Sequence, residues 1–290
     1  MLKIKQLQIL DKNNRMVSID GYRIENFPLQ GGEEANMVSI KSWNQHGNSF
    51  VNAFMESFEG ELDFIIPTFN RTPHEILCRR KAITSVCNPL NGVVTLKVIL
   101  NTGDVFLRDV TFISAPNFPI GFENRNKDWQ KVKLIYEANN PFWYSEQSIF
   151  ESFQGVTPLF NLPFTMSTTS PVILGEIIPA NVATNQGQVE APVIIRIRGA
   201  CINPMIQNLT TGEFIGFKDL TMVAGDELII DTTFGRKKVE LNGQNVFNKL
   251  DFASTFFNLI KGANEIDFTD SSASNEASIQ FIYRNLYVTL

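Results

Sequence analysis

Apolar and polar residues alternate with a period of two along much of this chain, the pattern of half-buried β-strands. The N-terminus sets the theme. Leu2, Ile4, Leu7 and Ile9 alternate with polar positions, with one slip of phase. Asp11-Lys-Asn-Asn14 then reads as a turn, and 16–20 as the returning strand of a hairpin. The polar stretch QGGEEAN at 30–36 reads as a mobile loop. Residues 50–66 suggest a strand, a glycine turn at Gly60 and a second strand.

One segment breaks the period. Thr72-Pro73-His74-Glu75 opens a helix over 73–87. Thr72 can cap, Pro73 suits the first turn, and Glu75 completes a capping box. Ile76, Leu77, Ile83, Val86 and Cys87 form its apolar stripe. Arg79, Arg80 and Lys81 fall mostly off that stripe and make a basic outer face, a candidate contact surface. Asn88-Pro89 ends the helix, because a residue before proline avoids the α region. Strands resume at 93–100, at 103–116 after a hairpin signal at Gly103-Asp104, and at 129–143. Residues 1–145 thus read as a β-sandwich or barrel carrying one helix.

The character changes over 139–192. Only Glu151, Glu176 and Glu190 carry charge between 151 and 190, and Pro158, Pro163, Pro171 and Pro179 interrupt the stretch. It reads as a packed connector with short entry strands, since a disordered linker would usually be more charged. The domain boundary falls within 145–155, giving domains at 1–148 and 149–290. From Ala191 to Ile266, short β-branched runs alternate with the turn signals NP, TTGE, AGDE, TTFG, NGQN and KGAN. That even spacing predicts an antiparallel sandwich built from hairpins. Ile279, Phe281 and Tyr283 mark a terminal strand. The fold class is mainly β.

Charge and cysteines narrow the function. Residues 1–150 balance 16 Lys+Arg against 16 Asp+Glu, while 151–290 carry 9 against 14, so the net charge of −5 sits in the second half. Neither half offers a basic face for a nucleic-acid backbone. The three cysteines include no CxxC pair, which argues against zinc. Cys78 and Cys87 share the helix, about 13 Å apart along its axis, too far for a disulfide. Reduced thiols fit an intracellular place of folding. MLKIKQLQILDKNN has no apolar core, so no secretory signal is expected.

Catalytic chemistry is sparse. His46 lies in a polar stretch and His74 in the first helical turn, neither with a Cys or Asp at a useful spacing. Glu59, Glu61 and Asp63 are close in sequence, but a glycosidase needs two carboxylates facing across a sugar cleft. Such a cleft also wants aromatic platforms, and Trp43, Trp129 and Trp143 all lie in the first half. Asp226, Glu227 and Asp231 could in principle meet calcium, yet GDELIID puts the two aspartates at opposite ends of one strand. No catalytic, cofactor-binding or metal site is assigned, and no enzymatic activity is expected.

Several pieces in order resemble a known family: the helix followed by NPLNG and a strand pair, then EANNPFW, then the proline-rich passage into PVIIRIRG. NPMIQNLTTGE, LTMVAGDELIIDTTFGRKKVELNG, FFNLIKGANEI and FIYRNLYV follow. Over nearly the whole chain they are similar to the distal tail proteins of siphophages, called Dit, within the siphovirus-type tail components. Each motif is turn chemistry and weak alone; their order and spacing carry the resemblance. It implies an N-terminal sandwich with an appended helix and a C-terminal galectin-like β-sandwich. It further implies a six-copy ring through the N-terminal domains, joining tail tube to tail tip and leaving a channel for the tape measure and viral DNA. The implied partners are the tube, tape-measure, tail-associated tip or lysin, and receptor-binding or baseplate proteins. The implied location is the virion tail tip, after assembly in the host bacterial cytoplasm. Galectin sugar sites use His and Trp, which the second half lacks, so that site is not carried over. The alternative reading is a carbohydrate-binding adhesin module without a hub role, for which Trp43 is the first residue to test.

Overall fold

The computed structural model describes residues 3–27, 35–67, 72–126, 128–154, 181–272 and 277–290. The chain divides into two compact units, Met1–Glu146 with Tyr287–Leu290, and Gln147–Leu286. The last four residues, which the sequence places in the second domain, thus belong to the first unit.

In the first unit the strands are β1 (Ile4–Leu10), β2 (Met16–Asp20), β3 (Ile24–Asn26), β4 (Ala35–Ile40), β5 (Ser49–Met55) and β6 (Phe58–Pro67). After α1 (Pro73–Val86) come β7 (Val93–Leu100), β8 (Val105–Phe112), β9 (Trp129–Ala138) and β10 (Trp143–Ser145). Seven of them hydrogen-bond in the order β2-β1-β7-β8-β9-β6-β3. The two ends of that row, β2 and β3, are joined only by the 3-10 turn Gly21–Arg23. So short a link spans roughly 10–14 Å, so the edges of the sheet lie side by side and the sheet is rolled. Gly21 is required there: a Cβ would sit 1.8 Å from the carbonyl oxygen of Ile4. Leu7, Leu62, Phe64, Leu96, Val98, Val132, Leu134 and Tyr136 point into the roll and are buried.

The helix forms where the sequence places it. Thr72 accepts a hydrogen bond from the Glu75 backbone N–H at 3.3 Å, and Cys87 is the C-cap. Ile83, Val86 and Cys87 join the core of the roll. Burying each of the first two is worth about 1.5–3 kcal/mol. Leu77 does not join them and stays exposed.

Two local expectations give way. Gly60 is not a turn but lies inside β6, opposite Tyr136 of β9. A Cβ at Gly60 would lie 2.2 Å from the tyrosine ring, so the glycine makes room for an aromatic roof. Strand β5 pairs with β4 instead of β6, in a two-stranded sheet of its own. Ala35 and Asn36, read from sequence as loop, begin β4; the rest of that predicted loop, 30–34, lies outside the described residues.

The second unit opens with β11 (Ile149–Gln154), β12 (Asn181–Asn185), β13 (Val193–Arg198), β14 (Cys201–Ile202) and β15 (Met205–Asn208). Strands β16 (Glu213–Gly216), β17 (Thr221–Met222), β18 (Glu227–Asp231), β19 (Lys238–Leu241) and β20 (Gln244–Asn245) follow. The last three are β21 (Gly262–Thr269), β22 (Ser278–Tyr283) and β23 (Leu286–Tyr287), the last completing the sheet of the first unit. Sheet β11-β22-β13-β18-β19-β20 and sheet β12-β21-β15-β16 bury their inner faces in one core. Ile195, Ile197, Leu228, Ile230, Ile279 and Phe281 come from the first sheet, and Ala183, Ile206, Ile215, Ile266 and Phe268 from the second. That is a β-sandwich. The predicted proline-rich connector, 155–180, lies outside the described residues.

Candidate functional site

Most of the carboxylates that the sequence singles out are engaged in holding strands and turns. Glu59, Glu61 and Asp63 project from the same face of β6, two residues apart. Lys133 on the neighbouring β9 meets two of them, Glu61 at 3.6 Å and Asp63 at 3.2 Å. Its hydrogen bond and charge contact with Asp63, then the charge of Glu61, raise the lysine's pKa above the ordinary value. Carboxylates in a row on one sheet face cannot confront one another across a sugar.

The aspartates at the two ends of β18 are likewise spent. Asp226 accepts from the Val223 N–H and from the Asn242 amide, both at 2.8 Å, and these bonds, in that order, lower its pKa. Glu227 pairs with Arg198 at 2.8 Å, and Asp231 accepts from the Thr233 N–H at 2.9 Å. Among the described residues no group of three His, Cys, Asp or Glu could hold a metal ion.

His46 is exposed in the segment joining β4 to β5. His74 has a neighbour that a spacing rule for loops misses. One helical turn brings the Cys78 Sγ to 3.5 Å from its Nε2. The pair is exposed, and Glu75, the carboxylate next in sequence, is engaged by Arg79 at 3.1 Å. Two of the three residues of the basic outer face have partners. Arg79 holds Glu75, Arg80 reaches Gln130 and covers the Phe118 ring at 4.9 Å, and of the three Lys81 alone is exposed.

The polar groups buried deepest are structural and gave no sequence signal. Arg108 has no exposed surface; its guanidinium lies 4.1 Å from the Trp143 ring and 4.9 Å from Phe58, and donates to the Pro141 carbonyl. In the second unit, buried Asn264 accepts from the Asn208 amide at 3.1 Å and from the Ile260 N–H at 3.0 Å. The Tyr283 hydroxyl lies 2.8 Å from Glu151 and 2.9 Å from the Thr184 carbonyl. Burial, then Glu151, push its pKa up, so it remains a protonated donor.

What the surface does offer is the hairpin β4–β5. Every residue from 35 to 54 except Gln45 is exposed, including Met37, Ile40, Phe50 and Phe54, and Trp43 is 99% exposed. Elsewhere in the same unit an apolar hollow of about 180 Å³ lies between α1, β2 and β6, lined by Val17, Ile19, Phe64, Ile66 and Ile83.

Residues 186–287 match the family model of the siphovirus-type tail component, C-terminal domain. The crystal structure of phage SPP1 Dit, described as a paradigm of the hub adsorption apparatus in phages infecting Gram-positive bacteria, superposes with a TM-score of 0.61. At 12% identity it covers 96% of this chain and 98% of its own, and so fixes the fold. The chain carries a siphovirus-type tail component domain on a Dit fold. The phage P2 baseplate in its activated conformation with calcium matches over the full length of both chains at 12% identity, with a TM-score of 0.48. No curated protein matches the sequence.

The matched segment holds the sandwich strands from β13 to β22 and the asparagine network between them. It contains neither His nor Trp. The fold relative and the matched family are structural phage tail proteins.

Proposed function

We propose that this tail component is the distal tail hub of a siphophage. Six copies form a ring through the first unit, and the ring joins the tail tube to the tail tip and adhesion apparatus. The channel passes the tape measure protein and, during infection, viral DNA. The protein's further partners are receptor-binding or baseplate proteins and a tail-associated tip or lysin protein. In this reading the protein catalyses nothing and needs no cofactor. It assembles in the host bacterial cytoplasm and resides at the virion tail tip.

The observation that carries the reading is a tail component domain at 186–287 within a chain that follows the SPP1 Dit fold over 96% of its length. A closed ring of identical copies uses a heterologous interface, and such interfaces are made from strand edges and apolar surface. Negative-stain microscopy of the purified chain, alone and mixed with its tail-tip neighbours, tests it. Six-fold rings with a central hole are expected; single particles in both samples would overturn the reading.

One observation favours a second reading. Trp43 is 99% exposed, as a sugar-stacking residue would be. A carbohydrate-binding adhesin predicts saturable binding to host-wall glycans that Trp43→Ala abolishes.

A further inference from the structure

We infer that the outer face of sheet β11-β22-β13 is a binding site for a phosphate ester, with Arg196 as its anchor. The inference goes beyond the ring reading and does not depend on it. Ile195, Ile197, Ile279 and Phe281 turn into the sandwich core, so the alternate residues of the same strands point away from it. On that side Arg196 of β13 stands opposite Gln280 of β22, and Gln280 opposite Ser152 of β11. One step along the strands, Arg198 stands opposite Ser278. These five side chains line a hollow of about 110 Å³.

Arg196 is out of place unless something fills that hollow. Among the described residues three arginines have a buried Nε without a hydrogen-bond partner, Arg80, Arg108 and Arg196. Arg80 donates instead through Nη2 to Gln130, and Arg108 through Nη2 to the Pro141 carbonyl. Arg196 makes no hydrogen bond or ion pair with any described residue. Native proteins pair nearly all their buried polar groups, and an ionised donor is the costliest kind to leave unpaired. Its cross-strand neighbours are Gln280 and Ile229, neither of them an acid. Nearby carboxylates are taken, Glu227 by Arg198 at 2.8 Å and Glu240 by Lys238 at 2.9 Å. Residues 151–290 carry 14 Asp+Glu against 9 Lys+Arg and still leave this arginine without one.

The donors select the ligand. A guanidinium fork matches the oxygens of a phosphate or a carboxylate. Here donors converge from three strands: two guanidinium groups, the Gln280 amide and the hydroxyls of Ser152 and Ser278. That spread suits the four oxygens of a tetrahedral anion better than the two of a planar carboxylate. Beside it on the same face runs an apolar row, Phe150 opposite Ile282 and Ile282 opposite Ile194. Two residues of strand set the rows about 7 Å apart, and Phe150 is 62% exposed. A bare ion would leave that row uncovered, whereas an ester lays its organic arm on it. One unpaired arginine is too little charge to hold a nucleic-acid backbone.

The test uses the full chain. Titration calorimetry with phenyl phosphate, inorganic phosphate and acetate compares the wild type with Arg196→Gln, Phe150→Ala and Ser152→Ala/Ser278→Ala; circular dichroism verifies folding. NMR follows the Arg196 Nε–H signal. The expected result is saturable binding of phenyl phosphate that shifts this signal, weaker binding of inorganic phosphate, and none of acetate at the same concentrations. Arg196→Gln should weaken phenyl phosphate about tenfold or more, and the double serine variant about fivefold. Phe150→Ala should remove the advantage of the ester over the ion. Should Arg196→Gln fail to fold, the serine variant and the arginine signal decide. Absence of saturable binding, or equal binding by the wild type and Arg196→Gln, would overturn the inference. Equal affinity for ester and ion, unchanged by Phe150→Ala, would overturn the ester and assign the hollow to free phosphate. Acetate binding as tightly as phosphate would overturn it in favour of an acidic peptide. None of these outcomes touches the ring.

Discussion

At the scale of single residues, burial and partners decide behaviour that composition leaves open. The three thiols differ sharply. Burial pushes Cys87 up to about 12, and burial with nearby Asp270 and Asp226 pushes Cys201 up to about 11, whereas Cys78 is exposed beside His74. The thiolate is the reactive form, so at pH 8 a thiol reagent should label one cysteine of the native protein quickly. The other two should react only on unfolding; three equally fast thiols would contradict the burial of Cys87 and Cys201. Asp226 gives a pH signature. Its folded pKa lies below the ordinary 3.8, so its contribution is complete above that value and is lost as pH falls through the folded pKa. In urea titrations, Asp226→Ala should therefore be less stable than wild type at pH 7, and the gap should close below about pH 3.8. A gap that widens in acid would refute the bonding described. Gly60→Ala must push against a fully buried Tyr136 ring and should cost about 1–3 kcal/mol. Unchanged stability would mean that the ring has somewhere to go.

Elements were legible wherever their cause is local. The capping box at Thr72–Glu75, the alternation in 93–100 and Ile279–Tyr283, and the turns from Ala191 to Ile266 all lie within a few residues of what they specify. The two aspartates bracketing β18 were read correctly for the same reason. Distant partners defeated the same reasoning. Gly60 looks like a turn residue until Tyr136, 76 positions on, is laid over it. Arg79 and Arg80 look like a charged helix face until Glu75 and Gln130 claim them. Arg108 looks like one more strand arginine until Trp143 and Phe58 enclose it. The pairing of β5 with β4 was hidden because a strand's composition does not name its neighbour. The site was less legible than the fold. Trp43 was singled out as the first residue to test for glycan binding, but the apolar ribbon around it is a property of what fails to cover it.

For the molecule as a whole, the two units keep two separate cores. The apolar clusters of the two units share no residue. We therefore expect calorimetry to resolve two unfolding transitions, with Leu134→Ala lowering one and Ile195→Ala the other; a single transition that both variants lower together would contradict that division. The second unit carries the tail component domain, and the first carries the rolled sheet, the helix and the uncovered hairpin. The most direct test is the mass of the assembled particle. Native mass spectrometry of the chain with its tail-tip neighbours present should give a species of six copies of 32.7 kDa, about 196 kDa plus any bound neighbour. A chain that remains a 32.7 kDa monomer under those conditions, at every concentration tried, would contradict the account.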